Sequence, residues 1–528
     1  MITMNKMTIH PATALKLLEL PITQMGNAER MNALIGDDCK YVPELKRWFR
    51  WNGRFWEAQD ESVMMLAIGN AARDLSNAIR LLPNAGDQME MLHRQQVCDN
   101  LKKLERGTEN KSVLDFMAGL AAVKFKDFDA NPFLLNVQNG TLNLLTGELL
   151  PHNKTDYMTK ICNASFMEKK KVEAEALPRT EKDEAAQDDS AASLSIPLPE
   201  GETTAITDSE ETATSEDSAA EDCAADSESA GLSLWEQTVS TILPDPAIRK
   251  WMQKFIGYCL TGSTEEEKFV VAYGPGGTGK GTFFETIGAA IGEYKDVLPV
   301  DTLLTTNLYT GGQGPSPELA KLYGKRYVLS SESNRCRHLD EAKIKLLTGG
   351  DTITARHLCT EPISYSPTFK LILQTNFLPS VSDSMDEGIR RRLVIVPFNA
   401  KIERRDKKLK QKLLTEENRN ACLAWCVEGA KLWRQEGLDD MPAALKEAAS
   451  SFYQECDLLQ QWLDERTEPS LGFLKFRTAL KDFNDWLARC GNRPWQQKCF
   501  SEAMRLHGKE KLRRETGYCY SGLCLRYA

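Results

Sequence analysis

The chain has 528 residues, a formal charge of −9, and 41% apolar against 27% charged residues, which is enough for two to four domains at ~150 residues each. No apolar run approaches the ~18 residues of a bilayer span and the N-terminus carries no secretory pattern, which points away from the membrane and secreted classes. The 14 Cys are scattered without a CxxC pair, so neither a zinc ribbon nor a disulfide framework is readable, and reduced thiols in a cytoplasm are expected.

In chain order, Asn52-Gly53 stands between two aromatic-rich runs, Arg47–Trp51 and Phe55-Trp56, the signature of a tight β-hairpin. Its aromatics suit base stacking, but the core of a small domain is the favoured reading. Residues 61–127 read as helices, and Leu134–Leu150 as short strands turning at Asn139-Gly140. Asp127 and Asp129 form an isolated acidic pair.

Residues 181–230 hold 16 Asp/Glu against Lys182 alone, a net of −15 that leaves +6 for the rest of the chain. No aromatic residue lies between Phe166 and Trp235, and such text cannot bury enough apolar surface to offset its ordering entropy. Residues 167–232 are therefore expected to be a disordered acidic linker, a solvated tether rather than a DNA mimic. The folded parts are mildly basic, which permits nucleic-acid binding.

Beyond the linker, Leu234–Leu260 reads as helix and Glu267–Tyr273 as strand, with a helix from Gly279. Further strands follow at Arg326–Ser330, Phe369–Thr375 and Leu393–Pro397. This alternation predicts an α/β layered domain with a largely parallel sheet. Between strand and helix stands Gly274-Pro275-Gly276-Gly277-Thr278-Gly279-Lys280-Gly281-Thr282, the setting of a phosphate-binding loop. Its backbone N–H groups turn towards phosphate oxygens, and Lys280 reaches the β/γ phosphates. The usual Ser/Thr after the lysine is Gly281 here, so Thr282 is the nearest hydroxyl for a Mg²⁺ shell.

Two further strand ends carry polar groups. Glu332 closes the run Tyr327–Glu332, where a carboxylate can hold metal or polarise water. Asn376 follows Lys370–Thr375, where an amide can meet a γ-phosphate; the plain alternative is an Asx turn. Arg390-Arg391-Arg392 before Leu393–Phe398 is a candidate arginine finger.

Taken together, GPGGTGKGTF, GKRYVLSSES, KLLTGGDTITAR, FKLILQTNFLP and IRRRLVIVPF, in this order, resemble the superfamily 3 helicases. The closer resemblance is to the primase–helicase family of poxviruses, phages and plasmids. Gly26–Arg30, Tyr41–Pro43, Trp56 and Asn136–Leu144 are similar to that family's pre-helicase domain. The resemblance implies a P-loop, AAA+-like ATPase core using ATP and Mg²⁺, with Lys280 on the phosphates and Glu332 and Thr282 on the metal. It makes Asn376 the sensor and Arg391 or Arg392 a finger acting in trans, in a ring hexamer that passes single-stranded DNA. Lys345, Arg356 and His357 become candidates for DNA contact around a hairpin. No primer synthesis is expected from this chain, so a primase would be a separate partner, and the setting would be a bacterial host cytoplasm.

Residues 441–528 read as helices at Ala443–Leu463, Phe476–Arg489 and Gln496–His507, then a strand pair near Tyr518–Tyr527. This order suggests a winged helix, with Lys498 and Arg505 on a basic recognition helix that takes phosphates. The expected organisation is an α+β N-terminal domain over 1–166, the linker, an ATPase domain over 233–440 and the winged-helix-like domain over 441–528. The expected function is an ATP-dependent helicase in phage, prophage or plasmid replication, acting on forked DNA. Two alternatives remain open here: a nucleotide-regulated origin-binding protein without motor activity, and an ATPase that remodels protein.

Overall fold

The computed structural model describes residues 7–83, 87–167, 232–305, 316–332, 338–356, 361–381, 386–403, 405–515 and 517–526. Apart from its two end residues, the expected acidic linker lies outside them. Met1–Met167 and Leu234–Ala528 together form one compact unit.

Five helices open the fold: Pro11–Leu18, Gln24–Ile35, Glu61–Arg80, Gln88–Lys102 and Gly107–Leu120. Their apolar faces close on a core that includes Met64, Ile68, Leu75, Leu114 and Met117. Beside them the strands Cys39–Val42, Arg47–Trp51 and Trp56–Gln59 form an antiparallel sheet. Trp51 pairs with Trp56, so the hairpin loop has four residues, Asn52–Phe55, and is wider than the expected Asn-Gly turn. The Asn52 side chain explains this: its Oδ1 accepts from the N–H groups of Arg54 and Phe55, each at 3.0 Å. Trp48, Phe49 and Trp56 are buried, which places these aromatics in the core.

The next antiparallel sheet holds Leu134–Val137, Gly140–Asn143 and Leu149–Leu150. Val137 pairs with Gly140, so the turn is Gln138-Asn139, one residue earlier than expected. Asn139 is held by a partner distant in sequence: it accepts from Phe166 N at 2.9 Å and donates to Phe166 O at 2.8 Å. Leu135, Val137, Leu142, Met158 and Cys162 share one apolar core with Trp235, Phe255 and Phe283. The acidic stretch therefore does not separate two cores.

That core covers one face of a five-stranded parallel sheet. In chain order its strands are Phe269–Tyr273, Lys295–Val297, Tyr327–Glu332, Lys370–Thr375 and Leu393–Pro397. Numbered 1 to 5, they lie side by side as 5-1-4-3-2. The longer strands read as continuous apolar runs because both faces are covered. Val270, Ala272, Ile372 and Val394 face the core just described. Phe269, Val271, Leu371 and Ile395 face a second core with Leu303, Leu347 and Phe452. The expected helix Leu234–Leu260 is two, Leu234–Ile242 and Pro246–Leu260. Pro244 breaks it, and Asp245 caps the second piece by accepting from Ala247 N at 2.8 Å.

The C-terminal region runs helix Leu458–Arg466, strand Thr467–Lys475, helices Phe476–Arg489 and Gln497–Leu506, then strands Lys511–Arg514 and Gly517–Leu525. The three strands pair antiparallel with Gly517–Leu525 in the middle, around a core of Trp462, Phe483 and Phe500. Among the described residues, no helix is long and apolar enough to cross a membrane.

Candidate functional site

The strand Phe269–Tyr273 delivers the chain to the glycine-rich loop, and Lys280 opens the helix Lys280–Ile291 that follows. Two glycines show why the loop is built as it is. Gly279 has φ +88, and a Cβ there would lie 2.6 Å from Ile242 Cγ1. Gly277 has φ +91, and a Cβ there would lie 2.4 Å from Arg405 Nη2. Any larger residue at either place would push the loop off its neighbours. The Lys280 ammonium is folded into the loop, donating to Gly274 O and, at 3.0 Å, to Pro275 O. Burial pushes its pKa below the ordinary lysine value. Thr278 Oγ1 donates to Pro275 O at 3.1 Å.

Lys280 Nζ also donates to Asn376 Oδ1, at 3.2 Å. The structure thus brings together two residues 96 positions apart, through the pairing of Lys370–Thr375 with Phe269–Tyr273. Thr375 stands level with Tyr273 on one side and with Glu332 on the other. The backbone of Glu332 therefore ends its strand level with Thr375, one place before Asn376, at the same end of the sheet as the loop. Thr282 lies in the first turn of the loop helix. Among the described residues, no group of three or more His, Cys, Asp or Glu side chains is placed to hold a metal by itself.

Gly276 through Thr282, Ser331, Gln374, Thr375 and Asn376 line one wall of a cavity of about 790 Å³. The opposite walls come from the helix Leu234–Ile242 and from Ile402, Arg405, Asp406, Lys407, Leu409 and Lys410. Its contents are chemically divided, with apolar Leu234, Ile242, Ile402 and Leu409 beside cationic Arg405, Lys407 and Lys410. A planar base and a chain of phosphates need such a division. Arg405 was not legible in the sequence, since it sits in an exposed charged run without a motif; only its contact with Gly277 singles it out.

The triple arginine lies at the other end of the sheet, before Leu393–Pro397, so the structure does not bring it to the loop of its own chain. Its three members differ. Arg390 packs over the Tyr453 ring at 4.8 Å. Arg392 is buried, pairs with Glu267 at 2.7 Å and donates to Gly388 O at 2.8 Å. Arg391 pairs with the same Glu267 oxygen at 2.6 Å, yet its side chain is 63% exposed. Arg390 is exposed too but engaged with the Tyr453 ring, so Arg391 is the better placed of the two to reach a neighbouring molecule.

Of the candidates for DNA contact, Lys345, on the helix Glu341–Thr348, forms an ion pair with Asp386. The hydrogen bond from Lys345 is the main cause of the lowered Asp386 pKa. Arg356 directly follows Ile353–Ala355, which pairs antiparallel with Ile363–Tyr365, so the hairpin expected before the Asn376 strand is present. His357 lies outside the described residues. Lys498 and Arg505 are exposed on the helix Gln497–Leu506, and Arg505 has Glu502 3.6 Å away.

Two family matches divide this architecture. Residues 28–244 match the family described as D5 N terminal like, and residues 272–392 match a family of unknown function, DUF5906. A helicase-named protein of Acanthamoeba polyphaga mimivirus is 38% identical over 161 residues, 30% of this chain and 16% of that protein. A primase-named protein of African swine fever virus is 24% identical over 153 residues, 29% of this chain and 16% of that one. The chain thus spans about a sixth of the length of these relatives. A solved structure of the NrS-1 C terminal region covers 55% of this chain and 75% of its own at 13% identity, with a TM-score of 0.37, too low to bear on fold or function. A D5 N terminal like segment followed by a DUF5906 segment is typical of phage and viral primase–helicase proteins, and the chain is similar to that family over these two segments.

Proposed function

We propose that this chain is the ATP-driven helicase part of a viral or phage replication system, working as a ring, with six subunits the expected number, on single-stranded and forked DNA. The observation that carries this reading is Lys280 Nζ standing 3.2 Å from Asn376 Oδ1 at the mouth of the 790 Å³ cavity. A lysine and an amide so placed can divide the contacts of one terminal phosphate between them. The order 5-1-4-3-2 supports an AAA+-like core, because it inserts the Asn376 strand between the loop strand and the Glu332 strand.

In this reading Lys280 and the loop amides hold the phosphates of ATP, and Arg405 caps the loop from the same subunit. Thr282 and Glu332 are the residues that would hold Mg²⁺, which would supply charge neutralisation for the phosphates. Asn376 positions the attacking water or the γ-phosphate. Arg391, held ready by Glu267, enters the site of the next subunit. The hairpin that leads to Arg356 contacts the strand in the pore. In the C-terminal region, the helix–strand–helix–helix–strand–strand order supports a winged helix that takes duplex or fork phosphates with Lys498 and Arg505.

The test is ATP hydrolysis with and without single-stranded DNA, on protein of known oligomeric mass. DNA-stimulated turnover in a ring, lost in Lys280→Ala, is the expected result. An assembled ring that binds DNA but does not hydrolyse ATP would transfer the weight to a nucleotide-regulated binding protein. The observation favouring that second reading is Gly281, which leaves the usual metal-ligand position without a hydroxyl.

A further inference from the structure

The C-terminal sheet carries a protrusion that neither the nucleotide cavity nor the helix bearing Lys498 and Arg505 uses. In the pairing of Thr467–Lys475 with Gly517–Leu525, Pro469 faces Leu523 and Phe473 faces Ser521. Three residues, Ser470 to Gly472, therefore stand opposite the single Gly522, a bulge that pushes the strand outward. At its crest Leu471 is fully exposed, at 106% of its reference surface, and Phe473 beside it is 43% exposed. Leu471 on this solvated bulge adds nothing to the core and Phe473 beside it is only partly covered, so their joint exposure calls for a partner.

The surroundings say which kind of partner. The Arg514 guanidinium covers one face of the Phe473 ring at 3.5 Å, and Lys511 Nζ lies over the Tyr518 ring at 4.6 Å. Three of the four residues of the strand Lys511–Arg514 are cations, and all four are exposed. Apolar and aromatic groups rimmed by cations match the two components of nucleic acid, stacked bases and phosphates. Leucine and phenylalanine are also residue types that enter base steps as wedges.

We infer that the Leu471–Phe473 bulge is an apolar wedge that unstacks a base pair at the junction between duplex and single-stranded DNA, with Arg513, Arg514 and Lys511 on the flanking phosphates. This inference rests on the reading of the chain as a DNA-handling protein and adds a second contact surface to it. Phe473 and the Arg514 plane present the stacking platform, while Leu471 occupies the gap opened in the duplex.

The experiment uses the full chain and a forked DNA with 2-aminopurine at the last base pair of the duplex, whose fluorescence rises when that base unstacks. Wild-type protein is expected to raise the signal at saturation. Leu471→Ser combined with Phe473→Ser is expected to abolish most of the rise and to weaken fork binding by roughly five- to hundredfold. Because Leu471 makes no core contact, Leu471→Ser alone checks the idea without a folding risk: its Tm should match wild type while the rise shrinks. Lys498→Ala with Arg505→Ala should weaken binding but keep the full rise once DNA is saturating. An undiminished rise in both wedge variants would overturn the inference and leave the helicase reading standing. Loss of oligomeric mass in the wedge variants, with the rise intact, would overturn it in favour of a protein contact. Wild-type protein that does not bind forked DNA would overturn both readings.

Discussion

The two ends of the parallel sheet place their buried cations in different settings. At the end where the strands finish, Lys280 is buried against the carbonyls of Gly274 and Pro275 but also lines the cavity, with Asn376 exposed beside it. At the end where they begin, cations are buried and spent on backbone carbonyls. Arg326 donates to Leu260 O and, at 2.7 Å, to Leu134 O. Lys370 Nζ meets the carbonyls of Thr261, Ser263 and Thr368 and lies 4.5 Å from the Tyr258 ring, and its burial lowers its pKa to about 7. These clamps tie the segment around Leu134 and the helix Pro246–Leu260 to the sheet. A cation before a strand is thus a fastening here, and a polar group after a strand is available to a ligand. Arg390 and Arg391 are the instructive exceptions, since they precede their strand but remain exposed.

That contrast can be broken most sharply at the triple arginine. Arg391→Ala should cut turnover by about 10³–10⁵-fold while ATP binding and Tm stay unchanged, because its pair with Glu267 is solvent-exposed and worth little to stability. Mixing it with Lys280→Ala subunits should restore part of the activity, as a finger acting between subunits requires. Arg392→Ala should instead destabilise the fold. Normal turnover in Arg391→Ala would remove it from the finger role.

At the strand starts, Arg326→Ala leaves two carbonyls without their charged donor and should cost about 2–5 kcal/mol, read as a lower urea midpoint with an unchanged m value. Turnover per folded molecule should survive. At the strand ends, Gly281→Ser tests the missing hydroxyl with little strain, since a Cβ there has only Glu285 Oε1 near it, at 3.7 Å. Stability should rise by a few tenths of a kcal/mol, as serine forms helix better than glycine. A lower Mg²⁺ requirement in the same variant would place that position in the metal shell.

The smallest effect concerns pH. His507 is paired with Asp457 at 2.9 Å, and this hydrogen bond raises the imidazole pKa above its ordinary 6.5. The folded state then holds the proton more tightly than the unfolded state. The resulting stabilisation is complete below pH 6.5 and is lost as pH rises through the raised folded value. The Tm of the C-terminal region should fall across that window, and Asp457→Asn should flatten the slope.

The loop, its strand and the Asn376 strand were legible because glycine spacing and continuous apolar runs are local signals. What escaped was non-local. The turn at Gln138-Asn139 is set by Phe166, and the strand Thr467–Lys475 is disguised by Pro469 and Gly472, residues tolerated only because the strand lies at an edge and bulges. Arg405 belongs to the site by contact alone. Likewise, nothing in the local text of residues 134–166 announces that they complete the core on one face of the parallel sheet.

That shared core has a practical consequence. A protease cut anywhere between residues 168 and 231 should yield two fragments that co-purify, held by Asn163 N to Ala290 O at 2.9 Å, Ser165 N to Asn420 Oδ1 at 2.8 Å and the apolar contacts around them. A shortened gene starting just after the acidic stretch, by contrast, would give a chain whose core lacks Leu135, Val137, Leu142 and Cys162, and it should accumulate as inclusion bodies.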